Sequence, residues 1–435
     1  MLPLPAILPM DVQQQAFIQL KGEERVKYGT DIDTVETELN PTLRYDFIWK
    51  GGQNHFVALY LPRFLLTHNS NVQRPDPDLV NPGSLREGYE DYVRNPNQDP
   101  FSALHNGGFG FEMTRPRWRL SLYQLGAIGT ISTTALLVPP VWEGAGPPPD
   151  PNPIIPSTIG ARFTLVFVQT QLFVPIRLTP RTALIPGATY NVFGGADRNS
   201  RGVIARTAGP GASLALEHAA TRYDTLISTV GGGQITATFQ DERDNNVIYR
   251  AEGTQVWRHY WTGNLSSELM GGAAVGGDAI NGFTVFSLAH ASMLYDSWPL
   301  VRIPPGAAPF GAPPGRGNRL QLGAIAKVTP WIDIFSGDLE QRFVTSLAAN
   351  YTVDRVTFRG QLSQARVINT PQTFKAQYQI VFTDLGLRYR ILPTLAADGG
   401  VRLGYQDFNN AVRFNQLSQA QFYVGLTWAP LPARF

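Results

Sequence analysis

The sequence predicts an all-β fold: a single antiparallel transmembrane β-barrel of about 16–18 strands, with short turns at one end and long loops at the other. Three observations predict it. Strand-length runs alternate apolar and polar residues with a period of two, as lipid and lumen alternate along a barrel wall. Among 435 residues, 42 are Gly, 34 are Pro and only 16% are charged, which favours many strands and turns over long helices. No run of 18 or more apolar residues exists to form a membrane-spanning helix, and a barrel needs none.

The alternation is plain in the last strand-like run, where Phe422, Val424, Leu426 and Trp428 fall on one face and Gln421, Gly425 and Thr427 on the other. It extends upstream. Phe343, Leu347, Ala349, Tyr351 and Val353 alternate with polar or small residues, and after a turn Val356, Phe358, Gly360 and Leu362 oppose Arg355, Thr357, Arg359, Gln361 and Ser363. The apolar set is expected to face lipid. In the next run Phe374, Ala376, Tyr378, Ile380 and Phe382 are apolar at even positions, but Leu385, Leu387, Tyr389 and Ile391 at odd ones. This phase switch near Thr383-Asp384 predicts a β-bulge or an additional turn.

In chain order the expected strands cover 12–22, 40–50, 53–66, 102–114, 117–133, 160–178, 181–195, 208–219, 222–240, 246–261, 263–276, 281–295, 318–330, 342–353, 355–369, 373–391, 394–408 and 414–428. The barrel domain is assigned to 40–435. Residues 1–39, with Gln13-Gln-Gln15 and the charged cluster Lys21 to Lys27, are read as a first strand, a periplasmic extension or a plug.

Five short reversals are expected at Thr114-Arg-Pro-Arg117, Thr179-Pro-Arg181, Thr329-Pro330-Trp331, Val353-Asp354-Arg355 and Leu392-Pro393-Thr394. Proline presets φ for a tight turn and damages a strand interior. The Pro-, Gly- and Asn-rich stretches 67–101, 143–157 and 299–318 must face water, because unpaired backbone is not tolerated in hydrocarbon. The first two, with 191–208, are assigned to the cell exterior. Counting strands puts the third on the opposite, periplasmic side despite its length, which marks 280–340 as the place where a strand is most easily miscounted.

Tryptophans test the arrangement, since such anchors gather at membrane interfaces. Trp49, Trp118, Trp261 and Trp331 lie within three residues of an expected short turn, and Trp428 ends the last strand. All five are expected interface anchors.

Other chemistries find little support. With no cysteine there are no disulfides, thiolate nucleophiles or Cys-based zinc sites. A net charge of +2 with dispersed signs gives no footprint for nucleic acid. The histidines His55, His68, His105, His218, His259 and His290 do not pair at metal-site spacing, and Asn54-His55 has no serine partner motif. Gly231-Gly-Gly233 lacks the Lys-Ser/Thr of a phosphate loop. No enzyme activity and no cofactor are expected. The N-terminus has no basic residue before Lys21 and three prolines in its first ten residues, which does not fit a secretory signal peptide.

Through its alternating strands, Thr-Pro-Arg-type turns, aromatic girdle and C-terminal Phe435, the chain resembles Gram-negative outer-membrane β-barrel proteins of porin-like size over roughly residues 40–435. It also resembles uncharacterised barrels of predatory and soil Gram-negative bacteria through runs such as Leu59-Tyr-Leu-Pro-Arg63. The resemblance implies an outer-membrane location, contact with its lipid, and recognition of Phe435 by the barrel-assembly machinery, with Pro430 and Pro432 interrupting the strand before it. It leaves homo-oligomerisation open.

Arg44, Arg119, Arg355, Arg359, Arg388, Arg390 and Arg402 alternate with apolar neighbours and are the candidate lumen-lining residues. Unpaired, they would favour anions; paired with Asp46, Asp384 and Asp407 they would set no selectivity. The expected function is a passive channel for small hydrophilic solutes, mildly anion-selective. The alternative is a non-conducting barrel serving as a structural or assembly component of an envelope complex.

Overall fold

The computed structural model describes residues 13–29, 32–49, 53–72, 101–132, 162–203, 205–239, 245–278, 282–298, 318–332, 339–369, 377–409, 416–431 and 433–434. One antiparallel sheet contains every strand among the described residues and closes on itself. In chain order its segments are β1 (Gln13–Gly29), β2 (Ile32–Trp49), β3 (Asn54–Tyr60), β4 (Arg63–Val72), β5 (Phe101–Thr114), β6 (Arg119–Ser132), β7 (Arg162–Phe173), β8 (Ile176–Thr179) and β9 (Thr182–Gly195). A short helix α1 (Arg198–Val203) precedes β10 (Arg206–Ala219), β11 (Asp224–Thr238), β12 (Asn246–Tyr260), β13 (Leu265–Asp278), β14 (Gly282–Asp296) and β15 (Arg319–Ile332). The series ends with β16 (Leu339–Val353), β17 (Val356–Asn369), β18 (Gln377–Leu392), β19 (Leu395–Asn409), β20 (Gln416–Trp428) and β21 (Ala433–Arg434).

Three staves of the wall are each split near a proline, so the segments make 18 staves. Proline has no N–H to donate to the ladder. At Leu61-Pro62, between β3 and β4, Leu61 N donates to Asn106 O at 2.7 Å and the Asn106 amide donates back to Leu61 O at 3.0 Å. At Val174-Pro175, between β7 and β8, Val174 N bonds Pro186 O at 3.0 Å and Arg119 N bonds Pro175 O at 2.9 Å. After Trp428 the chain leaves β20 and returns as β21, whose Ala433 and Arg434 pair with Ala16 and Gln15 of β1.

Closure is made by β1, which pairs with β2 on one side and with β20 on the other, from Leu20↔Trp428 to Gly29↔Gln419. The charged cluster from Lys21 to Lys27 therefore lies inside β1, and the 39/40 boundary falls within β2. Reversals occur at 115–118, 180–181, 354–355 and 393–394, as the sequence predicts. Thr329-Pro330-Trp331 differs: it is not a turn but part of β15, paired with β16 through Pro330↔Gln341 and Trp331↔Glu340. The long 299–317 connection joins β14 to β15 at the turn end, and these two strands pair directly, so the strand count through this region needs no revision. No bulge occurs at Thr383-Asp384, where β18 keeps continuous register with both neighbours.

The two faces of the wall have opposite character. On β20, Phe422, Val424, Leu426 and Trp428 are 52%, 69%, 54% and 46% exposed, while the intervening Gln421, Tyr423 and Thr427 are buried. Leu347 and Tyr351 on β16, Phe358 and Leu362 on β17, and Leu385 and Leu387 on β18 continue the exposed apolar surface. A water-soluble fold does not display a belt of this kind. Aromatics edge it. Trp49, Trp118, Trp261 and Trp428 lie at the turn end, where Trp261 Nε1 donates to Ser267 Oγ at 2.9 Å; Tyr28, Tyr190, Tyr249 and Tyr405 are exposed toward the loop end. The side chain of Trp331 lies outside the described residues.

Depth sets the cost of charging this surface. Replacing Leu385 with Arg, at mid-strand, is expected to destabilise by about 2–4 kcal/mol, and Trp428→Arg at the strand end by about 0–1 kcal/mol, measured by reversible denaturant unfolding in lipid vesicles.

Candidate functional site: the barrel lumen

The lumenal face is built from the alternate residues of each stave and divides into three regions. The first is a charged arc on β17–β20, β1, β2 and β4. The Glu23 carboxylate accepts Lys21 Nζ at 2.8 Å, Arg25 Nε at 2.6 Å and Arg402 Nη1 at 3.1 Å. Lys27 Nζ lies 2.6 Å from Glu36, and Glu38 accepts both Arg25 and Arg63, the latter at 2.8 Å. Arg402 Nε also binds Asp384 at 2.8 Å, while Arg359 Nε stands 3.6 Å from that carboxylate. Tyr423 packs among these guanidiniums: Arg359 Nη2 donates to its hydroxyl at 2.7 Å, and Arg402 Cζ sits 4.1 Å from the ring centroid. The network thus crosses β20 from β19 to β1, over the junction that closes the barrel.

Not every candidate arginine is held so tightly. Arg25 and Arg402 side chains are 7% exposed. Arg44, forked onto Asp46 at 2.8 and 2.9 Å, keeps 47%, and Arg388, 2.9 Å from Asp398, keeps 42%. Arg119 opens β6; Arg355 lies in the turn before β17; Arg390 is exposed next to the following turn. The side chain of Asp407 is outside the described residues, as is Phe435. His55 lies 3.0 Å from Asp46, whereas its neighbour Asn54 points to the other face, where Arg115 donates to it at 3.3 Å. The two do not converge on one site.

The second region is the sector of β10 and β11, lined by Gly209, Gly211, Ser213 and Ala215 and by Thr229, Gly231 and Gly233, while Leu214, Leu216 and Val230 face outward. The triple glycine is thus a stretch of wall with almost no side chain on the lumen. Beside it stand the ion pairs Arg250–Glu252 on β12 and Arg258–Glu268, the latter 2.8 Å long, between β12 and β13.

The third region is an apolar collar toward the loop end. Phe163 and Leu165 on β7, Phe286 and Leu288 on β14, and Ile380 and Phe382 on β18 are lumenal by alternation, yet each is at most 6% exposed. Ile248, Ala274, Phe286 and Leu288 form one packed cluster with Met270 against it. The collar accounts for the phase switch on β18: Ile380 and Phe382 do not turn to lipid but line the interior, while Phe374, Ala376 and the side chain of Tyr378 lie outside the described residues. Near the same rim, α1 lies against β7 and β9. Asp197 caps it, accepting Ser200 N at 2.8 Å and Ser200 Oγ at 2.9 Å, while Thr164 N donates to Ser200 Oγ at 2.9 Å.

A closed barrel of even strand number with an apolar belt outside and ion-paired polar residues inside defines a transmembrane β-barrel of the Gram-negative outer-membrane type. No protein-family model matches the chain, and no curated protein matches it. Among solved structures it is similar to OpdK of Pseudomonas aeruginosa, solved with vanillate, at 12% identity and a TM-score of 0.44, covering 97% of this chain and 99% of that one. It is similar also to OpdL of Pseudomonas aeruginosa (10% identity, 96% and 99% covered, TM-score 0.45) and to OccAB4 of Acinetobacter baumannii (10%, 98% and 99%, 0.45). Identity and superposition at these levels transfer no role from those proteins.

Removing Arg402 leaves two buried carboxylates without a shared partner. Arg402→Met is expected to destabilise the barrel by about 3 kcal/mol in denaturant unfolding, with much of the loss recovered when Glu23→Gln and Asp384→Asn are added. At the rim, burial opposes charge on Asp197, but the hydrogen bonds from Ser200 outweigh it and hold the carboxyl below its ordinary range. Its contribution to α1 is therefore full above the ordinary Asp pKa and is lost as pH falls through the lowered value. Asp197→Ala should cost the helix about 1 kcal/mol, read as faster amide exchange over residues 198–203 at neutral pH.

Proposed function

We propose that the barrel is a passive channel for small hydrophilic solutes with a mild preference for anions. The observation that carries this reading is the division among lumenal arginines: Arg25 and Arg402 are enclosed in the network, whereas Arg44 and Arg388, although paired with the buried Asp46 and Asp398, present nearly half of their own side chains to the interior, where the cation and not its carboxylate partner is accessible. Exposed guanidiniums raise the local anion concentration, while enclosed ones shape the wall and contribute little to selectivity. The charged arc also holds more cations than carboxylates, and the small-residue sector of β10 and β11 leaves room opposite it. The collar at the loop end favours a narrow mouth and hence small solutes.

The test is single-channel recording of refolded protein in a planar bilayer under a salt gradient. Discrete steps with a reversal potential on the anion side are expected. Arg44→Ala together with Arg388→Ala should move that potential toward zero without loss of folded protein. Silence from protein shown to have inserted would overturn the channel and leave a non-conducting envelope barrel.

A further inference from the structure

The wall is incompletely hydrogen-bonded between β14 and β15. Their ladder runs from Asp296↔Gln321 to Ala289↔Val328 and stops there, although β14 continues to Gly282 and β15 to Ile332. Among the described residues, Val285, Phe286, Ser287 and Leu288 stand opposite Ile332, Trp331, Pro330 and Thr329 in the continued register but do not pair with them. The cause is Pro330, which the register would place opposite Ser287: it has no N–H to give. Substitutes occupy the break. The Gln341 amide, reaching from β16, donates to Ser287 O at 2.7 Å and to Ser287 Oγ at 2.9 Å, and Thr329 Oγ1 donates to Pro330 O at 3.2 Å.

At the break β14 is more exposed than the strand on the far side of β15. Ser287 is exposed although Gln341, level with it across Pro330, is buried, and from there to its end at Gly282 β14 has Val285, Thr284, Phe283 and Gly282 all exposed. On the lumenal side of the break lie Phe286 and Leu288, part of the apolar cluster with Ile248 and Met270; on the outer side are Phe283 and Val285, 62% and 69% exposed. Apolar surface therefore continues from the interior to the lipid face through a place where the wall lacks hydrogen bonds. In hydrocarbon an unpaired strand edge is costly, so such a break is tolerated where water or a polar group reaches it.

The geometry points to a lateral passage between β14 and β15, through which small apolar or amphipathic molecules move between the lumen and the outer leaflet. This depends on the barrel spanning a membrane and does not require the lumen to conduct ions. The apolar cluster provides the inner landing surface, and the Gln341–Ser287 bridge is the contact that must part.

Uptake of the neutral apolar fluorophore N-phenylnaphthylamine by Gram-negative cells producing the full chain tests this, with ionic conductance of each purified variant measured in parallel. Pro330→Val restores the missing donor and should lower uptake toward that of cells lacking the protein; Gln341→Leu removes the bridge and should raise it. The chain has no native cysteine. Ser287→Cys with Gln341→Cys, which keeps Pro330 and removes the bridge, should therefore raise uptake when free and block it when joined by a short bismaleimide, while ionic conductance remains. Uptake unchanged in Pro330→Val and in the cross-linked protein, both shown folded by heat-shifted migration, would overturn the passage. Loss of conductance alone in the wild type would overturn the channel reading and not this one.

Discussion

Everything in this molecule depends on β1 meeting β20. A transmembrane sheet with a free edge would leave a column of backbone donors and acceptors in hydrocarbon, each unsatisfied group costing several kcal/mol, so closure is a condition of existence more than a refinement. The ladder from Leu20↔Trp428 to Gly29↔Gln419 satisfies that condition, and β21 extends it past the proline break to Gln15. Arg402 then ties β19 to β1 across the face of Tyr423 through Glu23. The densest group of lumenal charges thus lies behind the junction where the two ends of the sheet meet.

The lumen is correspondingly uneven. Its closing side is packed with ion pairs whose partners are mutually enclosed, whereas the β10–β11 side is nearly bare of side chains. Near the closure the ion pairs are enclosed within the wall, whereas Arg44 and Arg388, paired with Asp46 and Asp398, keep nearly half of their side chains accessible from the interior. The apolar collar adds a third character, and it borders the place where β14 and β15 separate. A tube of uniform polarity would need none of these distinctions.

Much of this was legible in the sequence, for reasons that particular residues make clear. On β17 the outward Phe358 and Leu362 and inward Gln361 and Ser363 follow strict alternation, and Val353-Asp354-Arg355 and Leu392-Pro393-Thr394 are reversals whose residues suit a tight turn. The lumenal role of Glu23, Arg25, Lys27, Glu36 and Glu38 was not legible. In β1 the odd-numbered charges do alternate, but Glu24 on the other face disrupts the pattern, and the charge density resembles an extension outside the wall. Ile380 and Phe382 misled in the opposite way: period two identifies two faces, but only the surroundings decide which is lumen, and here an apolar pair faces inward. Pro330 looked like a turn because proline within a strand usually weakens it. It does so here too, on one edge only.

The Arg402–Glu23 contact joins residues 379 positions apart in the chain. A hairpin such as β16–β17 can form from a few dozen residues, but this contact and its ladder require both extremities to have arrived, and loop-closure entropy grows with the length of chain between them. Until that moment the nascent sheet has two open edges, those of β1 and β20. The Arg402–Glu23 link therefore acts on the time course of assembly as well as on the finished wall: it is a late-forming lock, absent while the intermediate staves come together, and its contribution falls chiefly on the rate at which the completed barrel reopens.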